Sequence, residues 1–233
     1  MNINELLNKA IFIQFPINSI DKYYEYPKVK KDILYLPIND SMMYTGYPNN
    51  SHHFTYKYTY DYVLPLLGKK CNFKFNINDF ILIKNIKEYN NIKYDFSYLL
   101  PKNNYLYEIT SFEDNITFKG NSESLIFNAE ININGYKTGL ITEYHKIAPY
   151  PHSCFKIINL SLNTNKKIFI SGDSQFLPSI IPLLNYFKEI WYYDNRTNPH
   201  ISFENTYINE NFDYVIFELY KYPYNKYILG NLQ

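Results

Sequence analysis

The sequence lacks most of the features that assign a function class directly. Two cysteines occur in 233 residues, Cys71 and Cys154, and they lack the spacing of a metal site, so we expect reduced structural thiols. The formal charge of +1 gives no electrostatic basis for binding nucleic acid. No apolar run is long enough to span a bilayer. We therefore predict no metal, no cofactor, no nucleic-acid partner and no transmembrane segment.

The first residues do not show the sequence pattern of a secretion signal. The apolar patch from Ala10 to Phe15 has neither a basic leader nor a long apolar core. This favours a cytoplasmic location and leaves the periplasm and the cell surface open. The length fits one α/β domain, residues 1–233, and is ample for a hydrophobic core.

Tyrosine, in contrast, is abundant, with 27 residues. Tyrosine suits surfaces on which sugars stack, because its ring is apolar and its hydroxyl is polar. A compositional bias of the genome explains the same count more simply. The tyrosine content alone therefore assigns no ligand.

The segment from Lys166 to Arg196 predicts a βαβ unit. Lys167 to Ser171 reads as a buried strand, residues 176–190 have apolar side chains at helical spacing, and Glu189 to Tyr193 reads as a second strand. Pro182 would break a helix already formed at Phe176, so we expect the regular helix to begin near Ser179. Ligands of such sheets bind where strands end and helices begin.

That junction is the turn Gly172-Asp173-Ser174-Gln175. A serine at the start of a helix lies beside unpaired N–H groups that can stabilise an oxyanion. Gly172 permits a tight turn and brings no side chain into the site. The alternative interpretation is that Asp173 or Ser174 simply caps the helix.

The other thirds of the chain carry weaker patterns. Residues 10–15 and 32–36 and the run from Phe212 to Tyr220 predict further strands, and the tyrosine-rich segment to Leu67 has a possible helical face, Phe54, Tyr58, Tyr62 and Leu66. Apolar alternation within residues 72–144, with Asn134-Gly135 as a hairpin signal, predicts an antiparallel β insertion in the single domain.

Several motifs resemble those of the SGNH hydrolase superfamily. Gly172-Asp173-Ser174 after a strand is similar to the nucleophile block, and the stretch to Asp194-Asn195-Arg196 resembles the alginate O-acetyltransferase-like branch. The resemblance implies a Rossmann-like or flavodoxin-like fold, with a mostly parallel sheet flanked by helices. That branch has Asp-x-His-Trp upstream of the serine, and this chain has Ser51-His52-His53-Phe54 there. A weaker similarity covers residues 15–27.

The resemblance implies a role for each matched residue. Ser174 would be the nucleophile and His53 its base, with Gly172, Arg196 and His52 around the oxyanion or substrate. Ser51 stands where the family has its orienting Asp, so the charged third member is missing at that position. Asp40 or Asp61 are alternatives for the carboxylate, and His145 or His152 are alternatives for the base. No histidine follows His200, so a C-terminal Asp-x-x-His is absent.

Three hypotheses follow. The first is an O-acyltransferase or esterase that acts on a cell-surface or capsular glycan through an acyl-enzyme, with a small acyl donor as its other substrate. The second is a catalytically impaired module of the same fold that binds a glycan or a protein. The third is a glycan-biosynthesis protein in which residues 172–175 hold an anion. Hydrolase and transferase activity are not distinguished by the sequence, nor is the oligomeric state.

Overall fold

The computed structural model describes residues 5, 9–14, 33–36, 55–84, 86–89, 92–95, 97–112, 117–121, 127–132, 135–140, 154–172, 176–194 and 210–218. The first half of the chain contributes the strands β1 (Ala10–Gln14), β2 (Ile33–Tyr35), β3 (Phe80–Ile83), β4 (Ile86–Tyr89), β5 (Ile92–Asp95), β6 (Tyr98–Pro101) and β7 (Leu106–Ser111). The second half contributes β8 (Thr117–Asn121), β9 (Phe127–Asn132), β10 (Gly135–Leu140), β11 (Cys154–Asn159), β12 (Lys167–Gly172), β13 (Glu189–Asp194) and β14 (Tyr214–Glu218).

A mixed sheet of eight strands forms the centre of the fold, in the order β2-β1-β14-β12-β13-β11-β7-β8. The strands from β2 to β13 in this order are parallel to their neighbours, and β11, β7 and β8 extend the sheet by antiparallel pairing. The predicted α/β class with a mostly parallel sheet is confirmed. The flavodoxin-like strand order 2-1-3-4-5 is not the order seen here, because the last parallel strand, β14, lies between β1 and β12.

The predicted βαβ unit is present. β12 and β13 are parallel neighbours, and helix α2 (Leu177–Leu183) connects them. The helix begins two residues before the predicted start at Ser179, because Pro178 occupies its first turn, where no backbone N–H is required. It also ends earlier than the apolar pattern predicts. Pro182 lies in its last turn, and Leu184 and Tyr186 donate to carbonyls three residues back, as in a tightened turn.

A second helical stretch, α1, covers residues 56–70 and consists of an α-turn (Tyr56–Tyr58), a π-helical segment (Thr59–Val63) and an α-helix (Leu64–Lys70). The predicted buried face followed a regular helix through Tyr58, Tyr62 and Leu66. In the structure Tyr58 is fully buried as predicted, but Val63 and Leu67 are buried in place of Tyr62 and Leu66. The wider π-helical turn accounts for the change, because each i→i+5 bond delays the next buried residue by one position.

The predicted β-rich region contains antiparallel pairs throughout its described part. β3 pairs with β6, β4 with β5, and β9 with β10. β9 and β10 pair antiparallel on either side of the hairpin signal, but Gly135 is the first residue of β10 and pairs with Asn132, so it is not a turn residue; Asn134 lies outside the described residues. β7 and β8 differ from the other pairs because they belong to the central sheet. The description of residues 72–144 as an insertion in one domain stays a prediction.

Each face of the central sheet has its own packing. On one face, Ile168 and Ile170 of β12 and Ile216 of β14 share a core with α1 and α2. On the other face, aromatic rings pack together: Phe12 of β1 stacks on Phe217 of β14 at a centroid distance of 5.7 Å, and Phe169 of β12 contacts Phe212, which precedes β14, in a tilted arrangement at 5.5 Å. Within the described residues, no helix is long and apolar enough to cross a membrane.

Helix α1 ends in a Schellman motif, after which the chain turns back towards the core. Asn72 has a φ of 52°, in the left-handed region, and the N–H of Phe73 donates to the carbonyl of Gly68 at 2.9 Å. The Phe73 ring then stacks on Tyr186 at a centroid distance of 4.2 Å. A left-handed residue therefore links α1 to the segment that follows α2.

Cys71 and Cys154 are buried thiols and do not form a disulfide with each other, as expected from the sequence. Cys71 lies directly after α1 and is completely excluded from solvent. Burial raises the pKa of the Cys71 thiol to about 12, because the charged thiolate would lose its hydration, although the nearby Lys166 acts in the opposite direction. The thiol is therefore an unreactive part of the core.

We expect Asn72→Ala to reduce the free energy of unfolding by about 1 kcal/mol, because a Cβ disfavours the left-handed conformation when the side chain cannot bond locally. Asn72→Gly should be neutral or slightly stabilising at the same site. Urea denaturation of the two variants tests this. Equal loss of stability in both would contradict the assigned role of the backbone conformation.

The raised pKa of Cys71 predicts a fall in stability at alkaline pH. The unfolded thiol ionises near 9.0 and the folded thiol near 12. Between these two pH values the unfolded state has lost the thiol proton and the folded state still holds it. The stabilisation that is present below pH 9 is therefore lost as the pH rises towards 12, at up to about 1.4 kcal/mol per pH unit. Urea denaturation between pH 8 and 10.5 should give a shallower decline for Cys71→Ala. Parallel profiles of the two proteins would contradict the prediction.

Candidate functional site

The candidate site lies at the carboxyl ends of the parallel strands. Gly172, the last residue of β12, is paired in register with Asp194, the last residue of β13. On the other side, Ser171 is in register with Phe217 of β14, so Glu218 follows beside Gly172. Four strand ends, those of β1, β14, β12 and β13, therefore lie side by side at this edge. This is the edge at which open α/β sheets bind ligands.

Glu218 is the acidic residue of this edge whose side chain the structure describes, and it is fully buried. Its carboxylate lies directly over the Cα of Gly172: a methyl group placed on that Cα would be 2.7 Å from Glu218 Oε2. Glu218 alternates along β14 with Ile216, a residue of the core shared with α1 and α2. The carboxylate is thus on the helix-covered face, under the junction of β12 and α2.

Space, not backbone conformation, requires glycine at position 172. The same methyl group would be 3.1 Å from the Cβ of Phe176, closer than packed carbon atoms usually come. The φ of Gly172 is outside the left-handed region, so another residue would be conformationally tolerated there. The prediction that glycine keeps a side chain out of the site therefore has a specific cause, the neighbouring Glu218.

The residues at the start of α2 cover the end of β12. Phe176 precedes the helix, is fully buried, and accepts a backbone hydrogen bond from Ser179 at 2.9 Å. Two buried hydroxyls flank the same junction, those of Ser171 and Ser179, and neither has a hydrogen-bond partner among the described groups. Together with Glu218 they make this end of the sheet polar, whereas the middle of β12 is apolar.

Of the residues predicted for the site, Gly172 is the one that the structure describes. Ser174, Ser51, His52, His53 and Arg196 lie outside the described residues, as do Asp40, His145 and His152. The approach of a histidine to Ser174 therefore stays a prediction. Asp61, an alternative source of the missing carboxylate, is an exposed residue of the π-helical segment of α1.

The sequence reasoning missed Glu218. The signal that was available is a single acidic residue at the end of the apolar run Tyr-Val-Ile-Phe-Glu, at residues 214–218. An acidic residue at the carboxyl end of a buried parallel strand lies at the edge where open α/β sheets bind ligands, so its position alone would have made it a candidate site residue. Its burial and its contact with Gly172 required the tertiary structure.

Metal binding has no support in the described part of the chain. No three histidine, cysteine, aspartate or glutamate side chains come together there in an arrangement that could hold a metal ion. The described part of the site is instead the buried Glu218 side chain beside Gly172, the last residue of β12.

Comparison with known proteins gives structural relatives but no sequence family. No family model and no curated protein matches the chain. Bacillus cereus PatB1 with a sulfonyl adduct aligns with a TM-score of 0.60 at 13% identity, over 93% of this chain and 85% of the other. A second PatB1 structure aligns with a TM-score of 0.55 at 14% identity, over 92% and 83% of the two chains.

A third structure, of a DHHW family protein from Eubacterium siraeum, has a TM-score of 0.60 at 13% identity and covers 99% of this chain and 88% of the other. At such low identity the alignments establish a similar fold over nearly the whole chain and nothing about its chemistry. A fold resembling that of PatB1 is consistent with the mixed eight-stranded sheet.

The contact of Gly172 with Glu218 predicts a non-additive pair of mutations. Gly172→Ala should reduce the free energy of unfolding by about 1–3 kcal/mol, because the new methyl group overpacks the junction. In a Glu218→Ala background the loss should be smaller by about 1 kcal/mol, because the nearest clashing atom is gone. A four-protein cycle of urea denaturation measures this coupling. Additivity within about 0.3 kcal/mol would contradict the contact.

Proposed function

We propose that the protein is a serine-dependent O-acyltransferase or esterase of the SGNH type, acting on a cell-surface or capsular glycan through an acyl-enzyme. The observation that supports this most directly is the end of β12: Gly172 lies at the ligand-binding edge of the sheet, beside a buried carboxylate, and Ser174 follows two residues later. Its other substrate is a small acyl donor.

The proposed chemistry has two steps. The hydroxyl oxygen of Ser174 attacks the acyl carbonyl while His53 takes its proton, and the bond to the leaving group breaks as that proton passes to it. A glycan hydroxyl, or water in the esterase reaction, then attacks the acyl-serine while His53 takes the proton of that hydroxyl or water, and His53 passes this proton to the Ser174 oxygen as the acyl–serine bond breaks. Backbone N–H groups of the turn and the Arg196 guanidinium stabilise the oxyanion.

Two of the structural relatives support this assignment. A sulfonyl adduct, as in the PatB1 structure, forms when a nucleophile displaces the leaving group of a reactive sulfonyl compound. In one-letter code the name DHHW spells Asp-His-His-Trp, and this chain has Ser51-His52-His53-Phe54. The two histidines agree, and the flanking residues differ. The SGNH relationship rests on this agreement together with Gly172-Asp173-Ser174.

The substitution at Ser51 sets the expected rate. A serine cannot supply the negative charge that stabilises a positively charged imidazole, although it can still hold the ring by a hydrogen bond. Loss of the orienting carboxylate from such a triad lowers turnover on the order of 10⁴-fold. Without a replacement carboxylate, the enzyme would be slow.

The same substitution favours a second candidate function, a glycan- or protein-binding module that retains the fold without turnover. Glycan binding that persists in both Ser174→Ala and His53→Ala, in a protein with no esterase activity, would support this candidate over the enzyme.

Labelling with a fluorophosphonate tests the leading proposal, because the reagent phosphonylates an activated serine hydroxyl. We expect one label per wild-type chain by intact-mass spectrometry and none in Ser174→Ala. His53→Ala should slow labelling about 10²-fold or more. Ser161→Ala, which changes an exposed serine whose hydroxyl accepts from the Leu106 N–H, is the control and should label normally. A folded wild-type protein that takes up no label would refute the proposal.

A further inference from the structure

We propose that Glu218 is a positioning residue for the Ser174 centre, and that it supplies the buried negative charge that Ser51 cannot provide. This inference rests on the proposed function. Its basis in the structure is the placement of Glu218: it is completely buried, it ends β14, and its carboxylate lies over the Cα of Gly172.

The distance to the reacting group is short. Consecutive Cα atoms are about 3.8 Å apart, so chain connectivity keeps the Ser174 Cα within about 7.6 Å of the Gly172 Cα. A charge in a site without water acts over such a distance far more strongly than the same charge at the surface. The Glu218 carboxylate is therefore close enough to influence a base that takes the proton of Ser174.

Glu218 and Gly172 also fit one another closely. The neighbouring residues of β14, from Val215 to Phe217, are all apolar and buried, and Glu218 is the acidic residue that ends this run. Position 172 has the one residue type that leaves room for Glu218 Oε2. The two residues form a complementary pair two positions before Ser174 in the chain.

The electrostatic effect has a definite sign. A negative charge stabilises the positively charged imidazole that forms when His53 accepts the proton, and so speeds attack by Ser174. It also keeps the free imidazole protonated to a higher pH. Removing the charge should therefore slow the reaction and move the midpoint of its pH profile to lower pH.

The experiment measures the second-order rate of fluorophosphonate labelling of Ser174 between pH 5 and 9 in the full-length protein. For Glu218→Gln, which keeps the shape but not the charge, we expect a rate reduced about tenfold or more and a midpoint lowered by about half a pH unit or more. An unchanged midpoint, with or without a slower rate, would overturn the proposal, because a purely structural role moves only the rate.

Glu189→Gln is the matched control. Glu189 is also largely buried, with 12% side-chain exposure, and pairs with Lys167 at 3.3 Å. It lies at the opposite end of the same strands, five residues from the site along β13, which is about 17 Å in an extended strand. Its rate and midpoint should match the wild type. A midpoint shift equal to that of Glu218→Gln would overturn the proposal.

A third variant covers the case in which Glu218→Gln does not fold. Glu218→Asp keeps the charge, and it is compared with Glu218→Ala, which removes the charge. We expect a midpoint close to that of the wild type in Glu218→Asp and a midpoint lowered by about half a pH unit or more in Glu218→Ala. Equal midpoints in these two variants would overturn the proposal. Absence of labelling in the wild type itself would refute the acyl-enzyme function and this inference together, whereas normal wild-type labelling with unaffected Glu218 variants would refute this inference alone.

Discussion

The parallel pairing of β14, β12 and β13 is the constraint on which the rest of the site depends. These strands are held in register over their whole length, from Ile168 beside Tyr214 to Gly172 beside Asp194. Their side chains are buried on both faces, so a shift by one residue would exchange the two faces of the core. The same register that satisfies the core brings Gly172 and Glu218 together at the edge.

Charged residues at the two ends of β12 differ in their exposure to solvent. At the amino end, Lys167 is partly exposed and pairs with Glu189 and Glu210. Partial burial lowers the pKa of Lys167, but the hydrogen bonds and negative charges of the two glutamates have a larger effect, so the pKa is raised overall. At the carboxyl end, Glu218 is completely buried. Surface ion pairs such as those of Lys167 contribute little to stability. The two ends of β12 therefore differ in solvent access, because the Lys167 ammonium reaches water whereas the Glu218 side chain is shielded from it.

Local patterns predicted the elements well where one interaction dominated. The run from Lys167 to Ser171 predicted a buried strand, which is present as β12, and apolar alternation on either side of Asn134-Gly135 predicted the antiparallel pairing of β9 with β10. Prediction was wrong where two local preferences competed. Helical periodicity extended α2 to residue 190, but Pro182 ended it at Leu183, and the π-helical segment of α1 changed which side chains face the core.

The amino-acid sequence by itself determined the α/β class and the βαβ unit, because these follow from periodicity, proline and glycine within about thirty residues of chain. Only the tertiary structure decided that β14 lies between β1 and β12 and that Glu218 packs on Gly172. The order of strands depends on how separate apolar faces pack together, and no local pattern encodes that choice. Residues 46 positions apart in the chain became neighbours through the packing of the whole sheet.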